Sequence, residues 1–265
     1  MNTRERHSHH HDRLPQRFTL LSYNIQMGVD TSRYRDYVTH GWKHVLPHRA
    51  RMRNLNRIAA LLHRFDMVSL QEVDAGSLRC GFIDITEYLA HRAQFPHWYR
   101  QVNRNIGVIA RHSNGFLSRF EPSEVTHYKL PAATGRGAMV FKFGESKNAF
   151  TLCSLHLALG RRAREKQLDF LSEILKGRRH LVVMGDLNAG CEAPEIRRFI
   201  MRNDLMEPAC NQPTFPSWRP VRKIDHILVS HGLEVIKSRV LDYPFSDHLP
   251  VSMELELPSA ALAAA

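Results

Sequence analysis

The chain has 265 residues, of which 43% are hydrophobic and 24% are charged, and this balance fits one large α/β domain or two small ones. Its 37 Lys and Arg residues outnumber 26 Asp and Glu residues, giving a net charge of +11 that attracts polyanions such as nucleic acid or anionic lipid. No apolar run approaches the ~20 residues needed to cross a bilayer, and residues 1–13 lack the apolar stretch of a signal peptide.

In chain order, alternating and apolar segments predict many strands and a few helices. The predicted strands lie at 17–26, 67–73, 106–111, 115–120, 138–143, 149–156, 180–184, 224–230, 233–241 and 249–257. The predicted helices lie at 47–65, 83–93, 161–176 and 194–201. Their arginine-rich starts, 49–57 and 161–164, are expected to be solvated faces. This pattern favours one α/β domain with two packed sheets and helices outside.

The two ends of the chain are expected to lie outside this domain. We predict a disordered His-rich arm at 1–15, a domain at 16–258 and a low-complexity tail at 259–265. The chain has four cysteines: Cys80, Cys153, Cys191 and Cys210. They form no CxxC pair, so a zinc ribbon or redox motif is unsupported, and we expect reduced thiols in a cytoplasmic protein.

Polar side chains stand at the ends of several apolar strands. These residues are Asn24, Glu72, His156, Asp186, Asn188, Asp225, Asp247 and His248. Strands that carry polar tips can assemble a site at one edge of a sheet. Oxygen ligands such as Glu and Asn suit Mg²⁺. Because phosphate hydrolysis needs a cation, an oriented water and a group that manages protons, this set predicts a Mg²⁺-dependent phosphoesterase.

Six segments, in order and spread over nearly the whole chain, resemble motifs of the endonuclease/exonuclease/phosphatase superfamily, which includes deoxyribonuclease I and exonuclease III. They are SYNIQ (22–26), LQEVD (70–74), SLHLALG (154–160), GDLNAG (185–190), KIDHILVS (223–230) and FSDHLPV (245–251). The resemblance implies a four-layer α/β sandwich, in which two mixed sheets pack face to face with helices outside. It also implies hydrolysis of a phosphate ester, with a diester favoured, by in-line attack of water. Mg²⁺ is the implied cofactor, and Mn²⁺ is expected to substitute.

The resemblance also implies roles around the metal and the water. Glu72 is the implied principal metal ligand, with Asn24 beside it. Asp247 is implied to help with metal binding or site geometry. Asp186 is implied to orient or activate the water, and Asn188 to bond the scissile phosphate.

The remaining implied roles concern the phosphate and the proton. His248 acts as base or phosphate stabiliser, Asp225 fixes its tautomer, and His156 contacts the phosphate. Arg136 can hold a phosphate oxygen through its planar fork. Asn114, in a segment similar to one common in the family, is expected to face the substrate. The division of work between Asp186 and His248 stays open.

Three hypotheses for the substrate remain. The first is a nuclease or nucleotide phosphodiesterase, which the net charge of +11 favours. The second is a phosphodiesterase or phosphatase for a phospholipid or its headgroup. The third, a non-catalytic phosphate-binding module, is disfavoured because no core catalytic position is replaced. SYNIQ departs from the Trp-Asn-x-Asn-Gly of abasic-site nucleases, and KIDH (223–226) departs from the Trp-x-Asp-Arg of 5-phosphatases. The number of metals and the oligomeric state are left open.

Overall fold

The computed structural model describes residues 14–29, 49–145, 148–208 and 212–258. The predictions for the His-rich stretch, for Cys210 and for the tail at 259–265 therefore fall outside the described residues. Leu14, which the sequence places in the N-terminal arm, is buried in the core between the sheets. Cys80, Cys153 and Cys191 are free thiols.

The described residues form twelve strands and four α-helices. The strands are β1 (Arg17–Asn24), β2 (Met67–Asp74), β3 (His97–Ile106), β4 (Ala110–Ser118), β5 (Glu124–Lys129), β6 (Gly137–Phe143), β7 (Phe150–His156), β8 (His180–Asp186), β9 (Leu205–Met206), β10 (Asp225–Ser230), β11 (Glu234–Val240) and β12 (Val251–Glu256). The helices are α1 (Arg49–Leu62), α2 (Ile85–Arg92), α3 (Arg161–Leu175) and α4 (Pro194–Arg202). None of these helices is both long and apolar enough to span a bilayer.

The strands form two mixed six-stranded sheets within the described part of the chain. Sheet A has the order β11-β12-β1-β2-β4-β3 and sheet B the order β5-β6-β7-β8-β10-β9. Each has one central parallel pair, β1 with β2 and β7 with β8, and its other pairs are antiparallel. Parallel neighbours end at the same sheet edge, so the C-terminal ends of β1 and β2 lie together, as do those of β7 and β8.

Three apolar clusters account for the layers. One lies between the sheets and contains Phe18, Phe116 and Phe141 among its largest side chains. A second joins the outer face of sheet A to α1 and α2, and a third joins the outer face of sheet B to α3 and α4. Burial of three contiguous apolar surfaces is the main favourable term for this arrangement. The layer order helix, sheet, sheet, helix confirms the four-layer α/β sandwich.

The sequence predictions failed at and next to the edges of the sheets. Residues 106–111 are not a separate strand, because they include the last residue of β3, the turn at 107–109 and the first two residues of β4. Strands β3 and β5 were not predicted. Both are edge strands whose side chains are mostly exposed or half-buried, so they lack the alternation that marks a buried strand face.

The arginine-rich helix starts are only partly solvated. Arg51 is buried and donates a hydrogen bond to the carbonyl of Arg79. Arg164 is also buried and pairs with Glu195 at 2.7 Å. Arg51 therefore ties α1 to the loop after β2, and Arg164 ties α3 to α4, so neither belongs to a basic surface.

Candidate active site

The two sheets meet at one edge, where Asn24 ends β1 and Asp186 ends β8. Asn24 Nδ2 donates to Asp186 Oδ2 at 3.1 Å, and both side chains are buried. The sequence separates these residues by 162 positions. The C-terminal ends of β1 and β8 therefore lie on the same side of the sandwich, and this contact joins the two halves of the site.

Asp186 is held by two further groups, one in sheet B and one in the loop that follows β8. His156 Nε2 lies 3.4 Å from Asp186 Oδ2, and the backbone N–H of Asn188 donates to Oδ1 at 2.8 Å. Burial acts to raise the pKa of Asp186, but hydrogen bonds from His156 and from the Asn188 N–H, with the charge of His248, hold it well below its usual range. The carboxylate is therefore ionised and fixed in position.

The turn after β8 needs special backbone conformations. Gly185 has φ 149°, and a Cβ there would lie 1.9 Å from the carbonyl oxygen of Leu155 on β7. Asn188 is left-handed, with φ 56°, and its Nδ2 donates to the Leu157 carbonyl at 2.9 Å. Gly and Asn are the residues that accept such conformations at least cost. The Gly-Asp-Leu-Asn sequence is thus explained by the turn as well as by its chemistry.

His248 is oriented by a buried carboxylate. Its Nδ1 donates to Asp225 Oδ2 at 2.8 Å, and Thr214 Oγ1 donates to the same oxygen at 2.6 Å. Burial acts to lower the pKa of His248, but the charge and hydrogen bond of Asp225 outweigh it and raise the pKa to about 10. One ligand atom from each of Asp186, Asp225 and His248 lies within 4.8 Å of the other two. The imidazole therefore sits beside the Asp186 carboxylate.

Glu72 and Asp247 provide the oxygen atoms of the candidate metal centre. The pairing of β2 with β4 shifts register between Leu70 and Val73, and Glu72 takes a left-handed φ of 54° at this bulge. Its side chain lines the cleft. Among the described residues, no donor reaches the buried Asp247 Oδ1. Burial raises the pKa of Asp247 to about 7; His248 opposes this shift and the Glu72 charge adds to it.

These donors fit a hard divalent cation. A buried carboxylate oxygen without a donor, close to a second carboxylate, is stabilised in its charged form by a metal ion. Asn24 Oδ1 also accepts from the Gln26 N–H at 3.2 Å and is held at the same edge. An all-oxygen set of this kind suits Mg²⁺ or Mn²⁺ better than softer metals.

A cleft of about 420 Å³ lies next to these groups and is lined by Glu72 and His156, whereas Asp186, Asp225 and His248 are not part of its lining. Arg136 also lines it and donates from Nη1 to His156 Nδ1 at 3.1 Å. Asn114 lines the cleft as well, but its Nδ2 donates to the Gly137 carbonyl at 3.2 Å. Asn114 therefore joins β4 of sheet A to β6 of sheet B in addition to facing the cleft.

The sequence matches the model of the Endonuclease/Exonuclease/phosphatase family over residues 21–248, from β1 to the candidate catalytic histidine. The chain belongs to that family. Members of this family are typically hydrolases of phosphoester bonds. No curated protein sequence is significantly similar to this chain.

Several solved structures share the fold of this chain at low sequence identity. A family protein from Bacteroides thetaiotaomicron superposes with a TM-score of 0.70 at 20% identity, covering 92% of this chain and 99% of that one. A mannosyl-6-phosphatase from the same organism gives 0.65 at 20%, covering 90% and 99%. The human Nocturnin catalytic domain with a bound sulfate anion gives 0.65 at 19%, covering 92% and 94%.

The structure brings the ten residues singled out by sequence to this one edge or its cleft, but sequence reasoning missed their supports. Thr214 bonds Asp225, and Ser246 Oγ donates to the Asn24 carbonyl at 2.6 Å. Ser246 stands inside the FSDH motif and could have been found there, whereas no motif marks Thr214. Arg104 and His112, which line the cleft from the β3–β4 hairpin, were missed because β3 was not predicted.

Behind the catalytic edge lies a second polar cluster, made of Cys191, Glu207 and His226. His226 Nδ1 lies 2.6 Å from Glu207 Oε1 and 3.4 Å from Cys191 Sγ, and His226 Nε2 donates to the Ala189 carbonyl at 2.9 Å. The His226 ring ties the loop that carries Asn188 to the strand that begins at Asp225.

Proposed function

We propose that this chain is a Mg²⁺-dependent phosphodiesterase that hydrolyses its substrate by in-line attack of water. The observation that carries the proposal is the placement of Asp186, Asp225 and His248 within 4.8 Å of one another at the edge of the sheets. Glu72 lines the neighbouring cleft, together with His156, which lies 3.4 Å from Asp186. Together these groups meet the needs of phosphate hydrolysis for charge neutralisation, a positioned water and proton management.

The residues proposed to hold the metal are Glu72 and Asp247, with Asn24 beside them. A bound Mg²⁺ or Mn²⁺ supplies positive charge to the phosphate oxygens. Asn24 keeps a second task, since its Nδ2 fixes Asp186. The metal ligands and the water-orienting carboxylate are thereby held in one hydrogen-bonded unit.

The other residues act on the water and the phosphate. Asp186 is ionised and accepts a hydrogen bond from the attacking water. This hydrogen bond orients the water and makes it a better nucleophile. His248, held by Asp225, stabilises the phosphate or exchanges a proton with it. Asn188 and His156 face the same phosphate. Arg136, which already touches His156, is placed to bind a phosphate oxygen.

A diester is preferred to a monoester because the net charge of +11 suits a polyanionic substrate, which carries diester linkages. One of the similar structures is a mannosyl-6-phosphatase, so hydrolysis of a phosphate monoester is the alternative to hydrolysis of a diester. At 20% identity that likeness shows the fold alone.

The test is a substrate panel assayed with Mg²⁺ and with Mn²⁺. It contains bis-p-nitrophenyl phosphate, p-nitrophenyl phosphate, plasmid and single-stranded DNA, RNA, and phospholipid vesicles. We expect the diester to be hydrolysed faster than the monoester, and the fastest polymer or lipid to name the substrate class. A faster monoester reaction would replace the diesterase with a phosphatase. No hydrolysis of any member by folded, metal-bound protein would reject the proposal.

A further inference from the structure

Two neighbouring loops beside the cleft expose large apolar side chains. One is the turn between β3 and β4, where Val108 is 65% exposed and Ile109 is 51% exposed. The other follows β2, where Phe82 is 64% exposed and Leu78 is 40% exposed. Single exposed apolar residues are normal on a protein surface, but a contiguous group marks an interaction site.

Backbone hydrogen bonds join the two loops into one surface. The N–H of Leu78 donates to the Val108 carbonyl at 2.8 Å, and the N–H of Arg79 donates to the Ile109 carbonyl at 3.5 Å. Phe82 is held outward from a left-handed backbone, with φ 61°. We name Leu78, Phe82, Val108 and Ile109 the apolar tip. The backbone hydrogen bonds hold the two loops that carry these residues next to each other.

The apolar tip stands at the mouth of the cleft. Arg104 pairs with His112 across the β3–β4 hairpin, and both residues line the cleft. Ile106 pairs with Ala110 two residues further along, so the turn projects about 7 Å beyond the cleft wall. If the apolar tip inserts into a flat surface, that surface will therefore lie against the opening of the cleft.

The exposed charges beside the apolar tip are positive, because the nearby carboxylates of Asp74 and Asp84 are largely buried in ion pairs with Arg79 and Arg100. Segments 77–83 and 101–112 contain three arginines and no Asp or Glu. Arg79 is buried against Asp74, which leaves Arg104 and Arg111 exposed next to the tip. Apolar side chains flanked by exposed cations are the combination that binds at the interface of an anionic bilayer.

We propose that the apolar tip docks this protein peripherally on an anionic lipid surface, with Arg104 and Arg111 facing the headgroups. Two copies placed tip to tip would bring these cations together, which disfavours self-association. Nucleic acid would engage the arginines and leave the apolar side chains in water. An anionic lipid surface can bury the apolar side chains and also pair with the arginines. Docking on such a surface does not require hydrolysis of any substrate.

The test is co-sedimentation of the full chain with vesicles of phosphatidylcholine, with or without phosphatidylglycerol. The tip variant is Val108→Ser/Ile109→Ser, and the matched control is Met201→Ser, whose side chain is 75% exposed on α4. We expect the wild type and the control to bind the anionic vesicles, and the tip variant to bind about tenfold more weakly. Arg111→Gln should weaken binding to anionic vesicles about fivefold.

Three results would overturn the docking proposal. The first is that the wild type fails to bind anionic vesicles. The second is that the tip variant binds them as well as the wild type does. The third is that the wild type is a dimer in solution and the tip variant is a monomer. Hydrolysis of soluble bis-p-nitrophenyl phosphate by the tip variant should equal that of the wild type, which also reports an intact fold. Because binding is measured without turnover, docking and hydrolysis can fail independently.

Discussion

The hydrogen bonds of Asp225 make it the residue whose replacement is most informative about His248. Its Oδ2 accepts from both Thr214 and His248. Asp225→Asn replaces the charged carboxylate by a neutral amide, whose oxygen is a weaker acceptor and whose NH₂ group cannot accept from His248 Nδ1, so the imidazole loses its fixed orientation and tautomer. We expect kcat to fall by about 10²-fold to 10⁴-fold.

The control for this prediction is the pair of variants His248→Ala and Asp225→Asn/His248→Ala. If Asp225 acts through His248, the double variant should be no slower than His248→Ala alone. Losses that multiply in the double variant would instead mean that Asp225 has an independent role. Circular dichroism of each variant checks that the fold is retained.

Glu207 lies away from the candidate catalytic groups and should make the free energy of unfolding depend on pH. Burial acts to raise the pKa of Glu207, but hydrogen bonds from His226 and Lys223 outweigh it and lower the pKa to about 2. A carboxylate with a lowered folded-state pKa adds stability above its unfolded pKa of about 4.3. That stability is lost as the pH falls from there through about 2.

We therefore expect wild type to be more stable than Glu207→Gln at pH 6 to 7, with the difference shrinking as the pH falls below about 4. Urea unfolding across this pH range measures it. A difference that stayed constant down to low pH, or grew, would show that Glu207 does not act as an ionised partner of His226.

At the scale of elements, α3 and α4 are tied together by a buried ion pair that also positions the cleft. Arg164 on α3 bonds Glu195 on α4 and donates to the carbonyls of Ala158 and Leu159, which line the cleft. Removing one partner of a buried pair leaves an uncompensated charge. Glu195→Ala should therefore cost about 3 kcal/mol of unfolding free energy.

Two further variants make this prediction specific. Glu165→Ala breaks the more exposed Arg161–Glu165 pair on α3 and should cost about 0.5 kcal/mol or less. Arg164→Met/Glu195→Leu removes both buried charges and should cost less than Glu195→Ala. Equal effects of Glu195→Ala and Glu165→Ala in chemical denaturation would contradict the account of a buried pair.

Sequence predicted the interior elements well and the edge elements poorly, for a physical reason. Strands such as β1 and β8 are buried on both faces, so they appear as apolar runs that end where the polar site begins. Edge strand β3 carries exposed Arg and Asn side chains and has no such signature. The hairpin at 106–111 was consequently assigned as a strand, and the cleft wall formed by Arg104 and His112 was missed.

At the scale of the whole molecule, the topology explains why distant motifs form one site. Each sheet places a parallel pair at its centre, and sheet packing sets Asn24 of one against Asp186 of the other. Six ordered motifs sufficed to predict this convergence and the fold. Thr214 could not be predicted, because its role depends on a loop that folds back onto Asp225 and has no periodic pattern.

The most direct test of the central claim is a metal titration of bis-p-nitrophenyl phosphate hydrolysis by wild type, Glu72→Gln and the control Glu87→Gln. Glu87 lies exposed on α2, away from the cleft-lining residues. We predict that EDTA abolishes wild-type and control activity and that Mg²⁺ or Mn²⁺ restores it. Glu72→Gln should be slower by about 10²-fold or more at any metal concentration. Wild-type hydrolysis that persists in EDTA, or Glu72→Gln activity equal to that of the control, would contradict a metal-dependent site at this edge.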